Sequence, residues 1–159
     1  MPFRLHGAKL LFFNLGTCLK NRNYCTYRTL SKDEHVYLIN TRKFDSATGE
    51  GKSYQRVTLT GHGKGLLIYP DGYTGQVENI LWTEIDNIPS GCIFLPAAGF
   101  RNVNLSSVSN AGSYGDYWSS SLNIGAGVYI LLFNSSSLIK PANSHVRLFG
   151  LSVRLFSEL

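Results

Sequence analysis

The chain has 159 residues, of which 43% are hydrophobic and 16% are charged, so its length and composition favour one globular domain over a disordered chain. Fifteen lysines and arginines against ten acids give a formal charge of +5. Eleven of those basic residues precede Cys92 and are mixed with eight acids, so the charge pattern excludes the basic stripe typical of nucleic-acid binding.

The predicted elements begin with a short buried strand at 10–13. A helix follows over about 31–42, because Ser31 and Glu34 supply the two halves of a capping box and apolar residues recur after them at helical spacing. His35 falls on the inner side of this helix, where a packed, hydrogen-bonded histidine is favoured over a metal ligand.

Alternation at 57–60 and an apolar run at 66–69 predict two strands of a hairpin, joined through the glycine-rich stretch at 61–65. A phosphate-binding loop would require a helix after these glycines, whereas a strand follows. The hairpin loop is therefore the preferred interpretation.

Trp82, Ile85 and Ile88 share one face of a predicted second short helix that ends at Pro89. Four further strands are predicted at 93–95, 117–120, 128–133 and 151–155, with an ordered loop at 96–101 directly after the first. The strand at 117–120 should enter the core through Trp118.

The three cysteines, Cys18, Cys25 and Cys92, lack the spacing of a zinc site or a redox pair. Their odd number is compatible with one disulfide and a free thiol, or with three thiols. No apolar run reaches the length of a membrane span. The stretch before Cys18 faintly matches a lipoprotein signal, so membrane attachment would require lipidation there; a leader or an extra strand is the preferred interpretation of 1–26.

Asp116 is the only charged residue between Arg101 and Lys140, in a segment rich in glycine, serine, asparagine and aromatic residues. This composition is typical of recognition loops rather than of a catalytic cleft. The segment after Cys92 holds one histidine and two acids, and the chain lacks the GxSxG and HExxH motifs. We therefore expect a protein that is not an enzyme and that uses no metal or other cofactor.

Five motifs occur in one order: YRTLSKDEHVYLINTR at 27–42, GLLIYPD at 65–71, CIFLPAAGFR at 92–101, YWSS at 117–120 and GLSVR at 150–154. This series resembles the C-type lectin-like domains of the formylglycine-generating-enzyme type. That family includes variable proteins of diversity-generating retroelements in gut Bacteroidetes and their phages. Each motif is weak alone, and the ordered series gives the resemblance its specificity.

The resemblance implies an α+β, C-type lectin-like fold with a small twisted antiparallel sheet, two short helices and long ordered loops. It covers about 27–156, so we expect a leader or extra segment at 1–26, a ligand-binding domain at 27–159 and a diversified region at about 112–156. In retroelement targets, template adenines are randomised, so asparagine codons vary while scaffold codons stay fixed. The implied scaffold positions are Tyr117, Trp118, Ser119, Ser120, Tyr129, Leu131, Phe133, Asn134, Pro141, Arg147, Gly150, Ser152, Val153 and Arg154.

The resemblance also implies a set of variable, ligand-contacting positions. Randomised asparagine codons cannot encode Lys, Glu, Gln, Met or Trp, and none of these residues occupies the implied positions. The chain is one residue longer than the family pattern around 138–140. The implied ligand-binding residues are Tyr114, Asp116, Ile130, Leu132, Ser137, Ile139, Ala142, Asn143, Ser144, His145, Val146, Leu148 and Phe149.

The period of two in a strand separates Tyr129, Leu131 and Phe133 from Ile130 and Leu132. If the first set faces the core, the second set points outward, and we expect an exposed apolar patch together with Ile139, Leu148 and Phe149. The alternative is a central strand that is buried on both faces.

These features predict a receptor-binding or adhesin-like protein that binds an unknown protein or glycan, with no nucleic-acid partner. It would be found on a cell surface, secreted or in a virion. The late cysteines of the family's enzymes are absent after Cys92, as are the calcium-binding tripeptides Glu-Pro-Asn and Trp-Asn-Asp of C-type lectins. The alternative is a structural subunit of a fibre or virion that uses the same face to form a homo-oligomer.

Overall fold

The computed structural model describes residues 27–42, 53–71, 73, 77, 82–104, 106–125, 127–136 and 139–157. These residues form an α+β structure of small sheets with one short helical segment. The segment 1–26, with its predicted strand at 10–13, lies outside the described residues. Within the described part of the chain, no helix has the length and apolar content needed to cross a membrane.

The helical segment consists of an α-helix, α1, at Lys32–Val36 and a π-helical turn at Tyr37–Thr41. The hydroxyl of Ser31 accepts a hydrogen bond from the Glu34 N–H at 3.2 Å, and the Glu34 carboxylate accepts one from the Ser31 N–H at 2.7 Å. The predicted capping box and helix are therefore confirmed. His35 is buried as predicted, although its Nδ1 atom has no hydrogen-bond partner in the structure.

The two ends of the described chain pair with each other, because β1 at Tyr27–Arg28 is antiparallel to β9 at Phe156–Ser157. The strand predicted at 151–155 was wrong. In that segment Ser152 forms an isolated bridge: its carbonyl accepts from the Trp118 N–H and its N–H donates to the Asp116 carbonyl, each at 3.0 Å.

A four-stranded sheet has the order β4-β2-β3-β5, with β4 parallel to β2 and the other pairs antiparallel. Its hairpin of β2 and β3 confirms the predicted one. The strands are β2 at Tyr54–Leu59, β3 at Gly63–Ile68, β4 at Thr83–Ile85 and β5 at Ile93–Pro96.

The second helix predicted around 82–88 was wrong, because β4 occupies its first half. Trp82 has a left-handed φ of 61°, which turns the chain into the strand. The Gln55 side-chain amide then donates to the Thr83 hydroxyl at 2.9 Å, and the Thr60 N–H donates to the Ile85 carbonyl at 3.0 Å. The apolar residues at a spacing of three, which had suggested a helix, thus belong to a strand followed by a bend.

A three-stranded antiparallel sheet has the order β6-β7-β8, with β6 at Tyr114–Leu122, β7 at Gly127–Asn134 and β8 at Ile139–Val146. Strands β6 and β7 were predicted. Strand β8 was not, because it is polar and contains Pro141, a residue that sheets accept mainly at an edge. A bulge in β8 lies between Lys140 and Asn143, where three residue steps oppose two in β7.

The main core lies between the helical segment and the two larger sheets. Tyr117 belongs to it, and its hydroxyl donates to the Pro96 carbonyl at 2.8 Å. Trp118 was expected to fill the core but is only half-buried and belongs to the opposite face of β6. The buried members of the main core are Leu38, Ile39, Leu66, Ile68, Ile93, Leu95, Ala97, Tyr117, Leu131 and Phe133.

Candidate functional site

The three-stranded sheet has a face turned away from the main core, which we call the outer face. Cross-strand partners lie on the same face of a sheet. Because Tyr117, Leu131 and Phe133 face the core, the residues of the opposite parity define the outer face. By strand register it carries Tyr114, Asp116, Trp118, Val128, Ile130, Leu132, Asn134, Lys140, Asn143 and His145.

Six predicted ligand-binding residues lie on the outer face, although they come from three separate strands. They are Tyr114, Asp116, Ile130, Leu132, Asn143 and His145.

The remaining predicted residues are distributed differently. Leu148 and Phe149 follow β8 in a turn, where the Phe149 N–H donates to the Val146 carbonyl at 3.3 Å. Ile139 pairs with Phe133 and packs against the main core, so it does not belong to the outer face. Ser137 lies outside the described residues. The other three, Ala142, Ser144 and Val146, are exposed on β8.

Four rings form an aromatic cluster: Phe100, Tyr114, His145 and Phe149. The centroid of the Phe100 ring is 6.4 Å from that of Tyr114, 6.3 Å from that of His145 and 5.9 Å from that of Phe149. The His145 and Phe149 rings are 4.1 Å apart. Tyr114 and His145 stand at opposite ends of the outer face by register, so Phe100 lies between them, over the middle of that face.

The expected exposed patch was wrong at Ile130 and Leu132, which are 0% and 9% exposed. Both side chains point away from the main core, as the alternation predicted. They are nevertheless buried; β7 is the central strand of the sheet, and three rings of the aromatic cluster, those of Tyr114, Phe100 and His145, follow one another on the same side of it. Of the apolar residues expected in the patch, Leu148 is exposed, at 73%, and Phe149 is half-buried.

Phe100 was not among the predicted site residues, although the ordered loop that contains it was predicted and is confirmed. The Gly99 N–H donates to the Tyr114 carbonyl at 2.7 Å, and Arg101 exchanges two backbone hydrogen bonds of 2.8 Å with Gly150. Gly99 has a φ of 73°, and a Cβ there would lie 2.2 Å from the Ser109 carbonyl oxygen. The one sequence signal for Phe100 as a site residue was its place as an aromatic residue in a loop whose backbone conformation requires glycine.

Asp116 was expected to contact ligand, but its side chain is only 1% exposed. Its Oδ1 atom has no hydrogen-bond partner in the structure, and burial raises the pKa of the carboxyl to about 6. The residue therefore cannot touch a ligand in this conformation. A buried, uncompensated carboxylate instead contributes negative charge beneath the aromatic cluster.

His145 is half-buried, and desolvation lowers the pKa of its imidazole. Cys92 is a buried free thiol on the far side of the four-stranded sheet, where burial raises its pKa to about 11 and suppresses the reactive thiolate. Over the described ranges, no three His, Cys, Asp or Glu side chains lie close enough to hold a metal ion.

Fold and site together define an α+β protein that presents an aromatic-covered face of a three-stranded sheet. No protein-family model, curated protein or solved structure matches the chain. The function must therefore be argued from the site itself.

Proposed function

We propose that this chain is a non-enzymatic ligand-binding domain with a C-type lectin-like fold, and that it is the variable protein of a diversity-generating retroelement. One observation supports the proposal above all others. Positions implied to vary come from four separate stretches, 114–116, 130–132, 137–139 and 142–149, and eight of the thirteen lie on the outer face or in the turn that borders it.

The accessible part of this surface carries the binding energy. Tyr114, His145 and Phe149 are half-buried rings, and Leu148, next to Phe149 in the chain, is exposed. Rigid aromatic side chains provide large contact area with little loss of conformational entropy, which is why they dominate recognition surfaces. Ile130 and Leu132 act beneath them as support rather than as contacts.

The ligand in this proposal is a protein or glycan on a cell surface, and the domain itself is displayed on a cell, secreted or carried by a virion. The retroelement assignment is tested in the neighbouring DNA. We expect a reverse transcriptase gene and a near-copy of the sequence encoding 112–156 that differs only at adenines. A locus without either would overturn the assignment and leave the binding function to be judged separately.

The binding function is tested by replacing Tyr114 and Phe149 together with alanine. We expect the affinity for a partner selected by screening to fall about 100-fold or more, because paired aromatic anchors contribute several kcal/mol. Affinity would be measured by calorimetry, and thermal unfolding would verify that the variant folds.

The control replaces Leu122 and Ile124, which are exposed apolar residues outside the aromatic cluster, with alanine. It should bind as the unmodified protein does. Equal affinity in the Tyr114 and Phe149 variant would reject the surface. If that variant instead loses a concentration-dependent oligomer seen by light scattering, self-assembly is the function of this face.

A further inference from the structure

Charge is distributed unevenly around the outer face. Between 97 and 157 the only acidic residue is Asp116, and it is buried. Three basic side chains of this region, Arg101, Lys140 and Arg147, are exposed, and none of them forms an ion pair within the described part of the chain. We call these three residues the basic rim. The accessible charge that the described residues between 97 and 157 contribute beside the aromatic cluster is therefore positive.

The backbone fixes the basic rim next to the aromatic cluster. Arg101 follows Phe100 and is bonded to Gly150 through both backbone groups at 2.8 Å. Arg147 lies in the turn between His145 and Phe149. Lys140 belongs to the outer face itself, because it pairs with Leu132. The rim thus borders an apolar centre formed by the rings and Leu148.

Building on the function proposed above, we propose that the outer face and its basic rim bind a protein partner whose contact surface carries acidic side chains around an apolar centre. Effective interfaces place desolvated aromatic anchors in the middle and charge-complementary groups at the edge. Such rim charges raise the association rate and exclude partners of like charge. The three basic side chains of the rim form no ion pair within the described part of the chain. They therefore favour an acidic partner and disfavour a basic one.

Asp116 gives this interface a pH dependence. Its buried negative charge opposes an acidic partner when the carboxyl is ionised, and the other ionisable groups of the face and rim are Tyr114, His145, Lys140, Arg101 and Arg147. As pH falls from 7 to 5, Asp116 becomes neutral. This change makes the face more positive, so binding of the acidic partner tightens.

The test uses the full chain labelled with nitrogen-15 and three peptides of equal length. Each peptide has the same leucine–phenylalanine centre, flanked by glutamates, by lysines or by serines. Titration at pH 7 and about 50 mM NaCl should give amide shifts in the aromatic cluster with the glutamate peptide, and the affinity should fall about tenfold at about 300 mM NaCl. The lysine peptide should not bind, and the serine peptide should bind more weakly.

Three variants sharpen the result. Arg101→Glu combined with Arg147→Glu should weaken glutamate-peptide binding about tenfold or more, whereas Lys64→Glu, an exposed lysine on β3, should change it little. Asp116→Asn should tighten binding at pH 7 about threefold and remove most of the difference between pH 5 and 7. The pH dependence of the unmodified protein tests the same point without any substitution.

Other outcomes would overturn the inference. They are preference for the lysine peptide, equal binding of all three, no binding of any, or shifts confined to other surfaces. Tighter binding of a heparin fragment or of anionic phosphatidylglycerol vesicles would replace the acidic protein with a general polyanion. A screened partner that requires Tyr114 and Phe149 but shows no effect of charge would leave the proposed function standing and reject this inference alone.

Discussion

Asp116 shows at the scale of one residue how the fold can override a local expectation. The family resemblance implied a variable, ligand-contacting position at Asp116, and a charged residue in a glycine- and serine-rich segment is normally accessible. Strand register does place its side chain on the outer face, opposite Leu132. The ring of Phe100, which comes from a separate loop, then packs against Tyr114 and His145 of that face. Exposure depended on a contact that no local pattern contains.

We expect Asp116→Asn to stabilise the protein at pH 7. Burial raises the pKa of this carboxyl from 3.8 to about 6, so the folded state favours the neutral form. This contribution is fully present below the unfolded pKa and is lost as pH rises through the folded pKa. The linked free energy is up to about 3 kcal/mol, so the amide should add about 1–3 kcal/mol to the free energy of unfolding at pH 7, measured by urea denaturation.

His35 acts with the opposite sign over the same pH range. Burial lowers the pKa of its imidazole from 6.5 to about 4, so its stabilising contribution is present above pH 6.5 and lost as pH falls through 4. The two residues therefore partly cancel in the unmodified protein. Asp116→Asn should reveal a steeper loss of stability toward acid, while the exposed control Asp33→Asn should not. An unchanged pH profile in the Asp116 variant would contradict its uncompensated burial.

At the scale of elements, the sequence was informative wherever local chemistry decides the structure. The capping box at Ser31 predicted α1, and the apolar alternation of β7 predicted both the strand and its two faces. Strand β4 was mistaken for a helix, because spacing alone does not separate a helix from a strand followed by a bend. Strand β8 was missed, because pairing with β7 rather than its own polar sequence makes it a strand.

Strand β6 depends on a glycine, which gives a prediction for this element. A Cβ at Gly115 would lie 2.0 Å from the Cζ atom of Phe133, in the main core. We expect Gly115→Ala to lower the free energy of unfolding by about 3 kcal/mol, since the ring is buried and cannot move aside cheaply. The control is Gly127→Ala in β7, where the nearest atom would be 3.4 Å away. Similar melting temperatures for the two variants would mean that the ring is free to shift.

At the scale of the whole molecule, one core joins parts that the sequence could only describe separately. The resemblance suggested one domain over 27–159. The residues of the main core come from the helical segment and from both larger sheets. The same long-range packing explains the partial success at the site. Strand parity predicted which residues share a face, whereas the cover over that face came from a distant loop.

A shared core predicts that the two sheets unfold together. The chain has two tryptophans: Trp82 lies beside the four-stranded sheet, and Trp118 lies on the outer face of the three-stranded sheet. We expect Trp82→Phe and Trp118→Phe, each with a single remaining reporter, to give fluorescence transitions in urea that coincide with that variant's circular dichroism transition. A variant whose fluorescence and circular dichroism midpoints separate would show that one sheet keeps its structure after the other is lost, and the main core would then not be a single cooperative unit.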